Sequence, residues 1–159
     1  MSSEKALVSD NIVGVKIIPK RKICDDRGAI FHMLRKTDPE FSAFGEIYFS
    51  KVYPNVVKAW HVHTEMTLNY FVVVGSIRLA LYDTREGSPT HGKLQEIVLD
   101  ESDSRLVVIP PLVWNGFKGL GTSAAIVANC STIAHDPGEI DRKAYNDPSI
   151  PYDWSQRHG

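Results

Sequence analysis

Short apolar runs alternate with turn residues along most of the chain, and its middle part carries no extended apolar pattern with the period of a helix. Runs of this kind, bounded by Gly, Pro, Asn and Asp, predict β-strands. About ten closely spaced strands predict an all-β fold, a sandwich or barrel that closes as a jelly roll. The predicted strands cover residues 13–18, 29–34, 46–53, 56–63, 68–74, 76–82, 94–99, 105–109, 114–120 and 124–129.

The remaining segments have a different character. Thr37–Phe41 predicts a single helical turn with Asp38 as its cap, since a proline follows that aspartate. The stretch from His135 onward contains three prolines and predicts an irregular tail that wraps the body. We therefore expect one domain over residues 1–159, with its core at about 12–134.

Two histidines stand out in this pattern. His61 and His63 lie two residues apart in a predicted strand, shortly before the apolar run at residues 70–74. Side chains alternate between the faces of a strand, so both imidazoles project from the same face. If that face lines a barrel interior, it offers a pocket with a base that titrates near neutral pH. The alternative is that one or both are core or rim histidines with a structural role.

Composition and charge narrow the function classes. The 159 residues are 43% hydrophobic and 23% charged, which is ordinary for a soluble globular protein. A net charge of −1 without a basic block argues against nucleic-acid binding, and no apolar stretch is long enough to cross a membrane. Residues 1–10 are polar and lack the apolar region of a secretory leader. Cys24 and Cys130 lie far apart in sequence and lack metal-ligand spacing; a disulfide between them is one alternative, and a reduced, cytoplasmic protein is the simpler expectation.

A His-x-His pair in a predicted jelly roll resembles the cupin superfamily, whose fold is a double-stranded β-helix. Metal-binding cupins add a glutamate and a later histidine to the pair, and such a set suits divalent transition metals. In this chain the corresponding positions are Leu68 and Asn115. The sequence therefore predicts no metal site.

Five blocks in the same order resemble one branch of the cupins, the dTDP-4-dehydrorhamnose 3,5-epimerase family of sugar-nucleotide epimerases. The loop Asp-x-Arg-x-x-Ser-Pro-Thr-x-Gly is the most specific of them, and the resemblance spans about residues 23–154. The blocks are Asp25–Gly28, Lys58–His61, Tyr82–Gly92, Ile109–Pro111 with Asn115–Phe117, and Tyr145–Pro148.

The resemblance implies an epimerase that acts on a nucleotide-linked 4-keto-deoxysugar at C3, C5 or both, without a cofactor. In that chemistry a base removes a proton beside the ketone, the enolate is stabilised, and an acid returns a proton to the opposite face. His61 matches the family's base, and Asp147 matches the aspartate that orients it. Without the resemblance, Asp147 is a plain turn residue before a proline.

Four departures from the family pattern stand out, and three of them concern positions around the base. Lys58 replaces an arginine, which keeps the charge but loses bidentate geometry. The enolate-stabilising lysine has no counterpart, and Asn69 is the nearest polar substitute. The acid tyrosine falls on His135 or Ala134, depending on the alignment, so His135 is a candidate acid or else a surface histidine.

The resemblance also implies substrate-binding positions. Arg27 and Arg85 correspond to arginines that contact phosphate or nucleotide, although Arg27 could instead form a turn salt bridge and Arg85 a loop network with Asp83. Asn115 replaces the family's second histidine, and His32 occupies a position that faces the nucleobase in relatives. Lys58, His63 and Asn69 are expected to line the sugar pocket.

Three functions remain open at this point. The first is the epimerase; the second is a sugar-nucleotide 3,4-ketoisomerase, because related jelly rolls use a His-x-His pair to move a proton between adjacent carbons. The third is a catalytically silent cupin that binds a nucleotide sugar. We also expect a homodimer, because the family exchanges N-terminal strands and residues 11–22 show no obvious hairpin partner.

Overall fold

The fold is described from a computed structural model over residues 11–155. Residues 1–10, on which the absence of a leader was predicted, and the last four residues of the predicted tail lie outside this range. Within it the chain forms twelve β-strands and one short 3₁₀ helix, Pro137–Glu139. The strands are β1 Lys16–Pro19, β2 Lys22–Asp25, β3 Gly28–Phe31, β4 Glu46–Val52, β5 Val57–His63, β6 Leu68–Val74, β7 Ser76–Asp83, β8 Leu94–Asp100, β9 Arg105–Ile109, β10 Val113–Gly119, β11 Ala125–Ser131 and β12 Ile140–Arg142.

Two antiparallel five-stranded sheets make up the body. The first sheet has the order β1-β9-β6-β11-β4, and the second sheet has the order β12-β5-β10-β7-β8. Strands β2 and β3 form a separate hairpin. Except for β7 and β8, neighbouring strands in each sheet are distant in sequence, which is the Greek-key connectivity of a jelly roll. The all-β jelly-roll prediction is confirmed.

The core lies between the two sheets and follows from the alternation of side chains along each strand. On β7 the side chains of Ile77, Leu79 and Leu81 are completely buried. On β6 Leu68 and Tyr70 belong to the same apolar cluster. Removing these side chains from water is the main favourable contribution to folding, and it fixes the register of each strand.

The N-terminal part differs from the prediction in two ways. The strand expected at residues 13–18 begins only at Lys16, and β1 has no hairpin partner next to it in sequence but pairs with the distant strand β9 of the same chain. Strand β2 was not predicted, and it pairs with β3 in a hairpin whose residues are all exposed. An exposed four-residue strand lacks the apolar alternation that the sequence analysis relied on.

The segment Thr37–Phe41 forms turns and not the predicted helical turn. Asp38 does not cap a following helix: its carboxylate accepts hydrogen bonds from the preceding backbone amide of Arg35 and from Lys20 Nζ, both at 2.8 Å. The ion pair with Lys20 ties this segment to the end of β1. A local bond to a preceding amide has outcompeted helix capping.

The C-terminal tail is more regular than predicted. Strand β12 extends the second sheet by pairing with β5, and the backbones of Trp60 and Lys143 exchange two hydrogen bonds of 2.9 and 3.0 Å. Farther along, Trp154 is buried and packs on Trp60 with ring centroids 5.1 Å apart. The tail therefore covers the edge of β5, which would otherwise present unpaired backbone groups.

Candidate active site

A cavity of about 460 Å³ lies between the two sheets. Side chains from both sheets and from the segment that follows β11 surround it. Its lining comprises Glu46, Tyr48, Ser50, Lys58, His61, His63, Met66, Tyr70, Phe117, Val127, Asn129, His135, Ile140 and Arg142. Four residues selected from the sequence, Lys58, His61, His63 and His135, therefore meet at one cavity.

Strand β5 supplies three of these four residues. His61 and His63 share the cavity face because they are two residues apart. Lys58 joins them because β5 contains an extra residue: Asn115 on β10 is opposite His61, whereas Phe117 is opposite Lys58. Such a bulge turns the next side chain onto the face of its neighbour.

The environment of His61 keeps its imidazole neutral. Burial lowers the pKa of His61, and its electrostatic interactions with His63, Arg142 and Lys58 lower it further, to about 4. At neutral pH a neutral ring can accept a proton. His61 therefore meets the electrostatic requirement for a general base in this cavity.

His63 has a buried carboxylate partner that the sequence analysis missed. Its Nδ1 lies 2.5 Å from Oε1 of Glu139, while Oε2 of Glu139 accepts the backbone amides of Glu65 at 3.0 Å and Met66 at 2.8 Å. Burial would raise the pKa of Glu139, but these hydrogen bonds outweigh it and the pKa lies below its usual value. Glu139 is thus an ionised acceptor, Nδ1 of His63 carries the proton, and Nε2 is left for a ligand.

The short 3₁₀ helix positions Glu139. Asp136 caps the helix by accepting the amide of Gly138 at 3.0 Å, and Pro137 occupies the first helical position. The carbonyl of Glu139 then accepts the amide of Thr64, which joins the helix to the end of β5. A three-residue helix and the three-residue strand β12 are too short to produce a periodic sequence signal, so Glu139 could not be found from the pattern.

Two further residues of the lining were not selected from the sequence. Tyr48 lies on β4 in the first sheet, and its hydroxyl accepts a 3.0 Å hydrogen bond from Asn129 Nδ2. Arg142 lies on β12, directly opposite His61 on β5. No sequence signal singles out Tyr48, because Ile47, Tyr48 and Phe49 are three consecutive large apolar or aromatic residues, all of them exposed.

Lys58 and His135 occupy different parts of the cavity. Nζ of Lys58 donates a 3.1 Å hydrogen bond to Oγ of Ser50, which connects the second sheet to the first. His135 is exposed and belongs to the segment between β11 and the 3₁₀ helix. A ligand entering the cavity therefore meets a cation and an exposed imidazole as well as the two histidines of β5.

The structure does not bring Asp147 to His61. The carboxylate of Asp147 accepts the backbone amide of Ser149 at 2.9 Å and its hydroxyl at 2.6 Å. Asp147 lines a different cleft, together with residues 93–96 on and before β8. The predicted His61–Asp147 pair is therefore corrected: a local turn, in which an aspartate bonds the residue two positions later, satisfies this carboxylate.

The two asparagines expected at the substrate are buried in the scaffold. Nδ2 of Asn69 donates to the carbonyl of Cys130 at 2.8 Å, and the adjacent Leu68 and Tyr70 face the core, so Asn69 points away from the cavity. Asn115 accepts from Tyr70 Oη at 3.1 Å and donates to the backbone carbonyl of His61 at 3.2 Å. Asn115 thus holds the β5 backbone and does not line the cavity, which corrects both assignments.

The remaining predicted substrate contacts lie outside the cavity lining. Arg27 is at the exposed tip of the β2–β3 hairpin and forms an ion pair with Asp25 at 2.7 Å. Arg85 binds Asp83 through two hydrogen bonds of 2.9 and 3.0 Å, so it is held in its loop. His32 follows β3, and its amide donates to the carbonyl of Arg21. Within one chain, these three residues are separate from the histidine pair.

No group of three or more His, Cys, Asp and Glu side chains within residues 11–155 is arranged to hold a metal ion. Over the same described range, no helix is long and apolar enough to span a bilayer.

Comparisons with known proteins match nearly the whole chain. A family model described as dTDP-4-dehydrorhamnose 3,5-epimerase matches residues 9–158. The chain is 36% identical over 148 residues to the probable low-salt glycan biosynthesis epimerase Agl13 of Haloferax volcanii, covering 90% of each chain. It is 32% identical over 146 residues to the spore coat polysaccharide biosynthesis protein SpsL of Bacillus subtilis, covering 91% of this chain and 97% of that one. The crystal structure of a dTDP sugar isomerase from Desulfovibrio desulfuricans G20 superimposes with a TM-score of 0.89 at 44% identity, covering 92% of this chain and 94% of that one.

Proposed function

Because the chain belongs to the dTDP-4-dehydrorhamnose 3,5-epimerase family, we propose that it epimerises a nucleotide-linked 4-keto-deoxysugar at C3, C5 or both. The observation that carries the proposal is a neutral, largely buried His61 that faces a cavity large enough for a hexose ring. The names of the relatives in glycan and polysaccharide biosynthesis support a role in making a surface or glycan sugar.

The proposed reaction uses the ketone of the substrate as its own electron sink. The 4-keto group acidifies the C–H bonds on both neighbouring carbons, and His61 takes one of these protons. His135, on the segment after β11, is the proposed donor that returns a proton to the other face. The chemistry balances without an oxidant or reductant, so the proposal includes no cofactor.

Substrate binding is assigned to the polar lining of the cavity. Lys58 and His63 are proposed to hold the sugar and the adjoining phosphate, since the ammonium group of Lys58 donates hydrogen bonds and Nε2 of His63 can accept one from a sugar hydroxyl. The family description and the name of the Desulfovibrio protein support dTDP as the nucleotide. Arg27 lies at the exposed hairpin tip and does not line the cavity of its own chain. It is therefore proposed to contact the nucleotide bound by a neighbouring subunit.

A homodimer is part of the proposal. Strand β4 is an edge strand of the first sheet, and its outward face exposes Ile47 and Phe49. With Phe31 of the hairpin these residues border an apolar cleft of about 290 Å³. Contiguous exposed apolar surface of this kind is typical of protein interfaces. Because β1 pairs within its own chain, the β2–β3 hairpin is the N-terminal segment proposed to reach the partner.

The location proposed for the protein is the cytoplasm. Cys24 and Cys130 are both free thiols. Free thiols are typical of reducing compartments.

One observation favours a second candidate, a sugar-nucleotide 3,4-ketoisomerase. His61 and His63 project from the same face of the same strand into the cavity. Two imidazoles on one side of a sugar ring are suited to moving a proton between adjacent carbons, whereas epimerisation needs a donor on the opposite side. The regiochemistry of the product distinguishes the two reactions.

Proton exchange tests the proposal. The protein is incubated in deuterated water with dTDP-4-keto-6-deoxyglucose, and the C3 and C5 protons are followed by NMR. We expect deuterium at C3, C5 or both, lost in His61→Asn and retained in His91→Asn, an exposed histidine outside the cavity. Exchange that survives His61→Asn would overturn the assignment of the base, a 3-keto product would establish the ketoisomerase, and binding without exchange would establish a silent sugar-nucleotide binder.

A further inference from the structure

An enolate is stabilised by a nearby positive charge, and the lysine that provides this charge in the family has no counterpart in this chain. The positions at which the resemblance places a lysine are residues 67–69. Leu68 belongs to the buried core, and Asn69 points away from the cavity to the carbonyl of Cys130. If the proposed function is right, the negative charge that develops on the C4 oxygen must be stabilised by another group.

We infer that Arg142 is that group: its guanidinium binds the C4 oxygen of the substrate as the enolate forms. This inference rests on the proposed function and deepens it. Arg142 lies on β12, and the sheet register places it directly opposite His61. Both side chains line the same cavity.

The hydrogen-bond pattern between β12 and β5 indicates how far apart the Cβ atoms of Arg142 and His61 lie. Trp60 and Lys143 exchange both of their backbone hydrogen bonds, at 2.9 and 3.0 Å. In an antiparallel ladder the next pair, Arg142 and His61, is therefore a non-hydrogen-bonded pair. Such pairs have the closest side chains, with Cβ atoms about 4.5–5.5 Å apart. A carbonyl oxygen beside the base thus falls within reach of the guanidinium.

Arg142 is also available for a ligand. Among residues 11–155, its described hydrogen bonds involve only the backbone amide, so its guanidinium keeps its donors for the cavity. The second cation of the lining, Lys58, donates to Ser50 and is three residues from His61 along β5. Arginine presents a planar fork of donors that suits an oxyanion and stays charged at any working pH.

The electrostatics agree with this geometry. The charge of Arg142 is one of the causes that lower the pKa of His61, after burial and the electrostatic interaction with His63. A cation that disfavours protonated His61 also favours an anion at the same place. As His61 takes the proton, the C–H electron pair forms the C=C bond and the carbonyl pair moves to oxygen. Reprotonation at carbon reverses these shifts, so Arg142 acts without being consumed.

The test compares Arg142→Gln and Arg142→Lys with Arg21→Gln, which removes an exposed arginine outside the cavity lining. Readouts are kcat and KM for epimerisation, the deuterium exchange rate, and the affinity for dTDP alone. We expect Arg142→Gln to lower kcat and the exchange rate about 100-fold or more, the usual cost of losing one oxyanion donor. We expect dTDP affinity to stay within about twofold, since the contact forms with the sugar oxygen. Arg142→Lys should recover part of the loss, and Arg21→Gln should match wild type.

Each alternative outcome has a separate meaning. An unchanged kcat in a folded Arg142→Gln protein would overturn the inference. Weakened dTDP affinity at unchanged kcat would overturn it in favour of a phosphate contact. A wild-type protein without exchange would overturn the proposed function and this inference with it, whereas an active wild type with an unaffected variant would overturn the inference alone. Circular dichroism and thermal melting confirm that the variants fold.

Discussion

Glu139 and His63 form the tightest polar contact of the cavity, with Oε1 of the carboxylate 2.5 Å from Nδ1 of the imidazole. The same carboxylate accepts the amides of Glu65 and Met66. One side chain of the tail therefore serves three donors on the segment that ends β5 and leads into β6. This relationship fixes the tautomer of His63 and anchors the tail at the cavity.

Removing the carboxylate should weaken the fold as well as the site. Glu139→Ala leaves three donors without an acceptor, of which those of His63 and Met66 are buried, and each unsatisfied buried donor costs about 1–3 kcal/mol. We expect a loss of about 2 kcal/mol or more in the free energy of unfolding, measured by urea denaturation. Glu139→Gln keeps one acceptor oxygen and should lose less. Glu101→Ala, at an exposed turn, is the control, and equal stability of Glu139→Ala and wild type would contradict the prediction.

The pH dependence of catalysis should reflect the environment of His61. Because its pKa is lowered to about 4, the neutral base is present down to that pH, and kcat/KM should fall only as the pH drops through about 4. Titration of the His61 ring protons by NMR checks the assignment independently. An acid limb near the ordinary histidine value of 6.5 would contradict it. Other titratable or charged groups that line the cavity are Glu46, Tyr48, Lys58, His63, Tyr70, His135 and Arg142.

The pH prediction also has an internal control. Burial is the first cause of the lowered pKa of His61, and the charge of Arg142 adds to it. Arg142→Gln should therefore shift the acid limb to higher pH, because it removes a charge that opposes protonation. A limb that stays in place would mean that the charge of Arg142 does not reach the imidazole.

The apolar face of β4 should control assembly. Phe49 is 64% exposed, and a charge placed there would be buried in the proposed dimer interface. Phe49→Glu should convert a dimer to a monomer in light scattering coupled to size-exclusion chromatography, because a buried unpaired carboxylate is strongly disfavoured. Val98→Glu changes a 51% exposed residue on β8 of the second sheet and should leave the dimer intact. A wild-type protein that is monomeric at micromolar concentration would refute the proposed dimer.

Alternation along strands was enough to predict the sheets and part of the cavity. It identified β5 and β6 closely and placed His61 and His63 on one face, because the period of a buried strand is a strong signal. The same alternation indicates that Asn69 does not face the cavity, because Asn69 lies between Leu68 and Tyr70, which both face the core. That exclusion was missed because the resemblance, and not the strand pattern, suggested the residue.

The functional residues of the C-terminal tail could not be predicted from the sequence. Asp147 was chosen by resemblance, but its carboxylate is satisfied within its own turn by Ser149. Glu139 was overlooked because it lies in the three-residue 3₁₀ helix, and Arg142 because it lies on the three-residue strand β12, which pairs with the free edge of β5. Long-range pairing of a strand this short is decided by the partner edge and leaves no periodic trace in its own residues.

Residues 135–142 are one continuous stretch, and they bring an imidazole and a guanidinium to the cavity and a carboxylate to His63 at its wall. The two sheets contribute the proposed base, His61, and most of the cavity walls, while this stretch contributes the charged and titratable groups beside that base. Such a division makes the site modular. Substitutions at the exposed residues His135 and Arg142 would change the groups around the proposed base, while Glu139 and the packing between the sheets stay as they are.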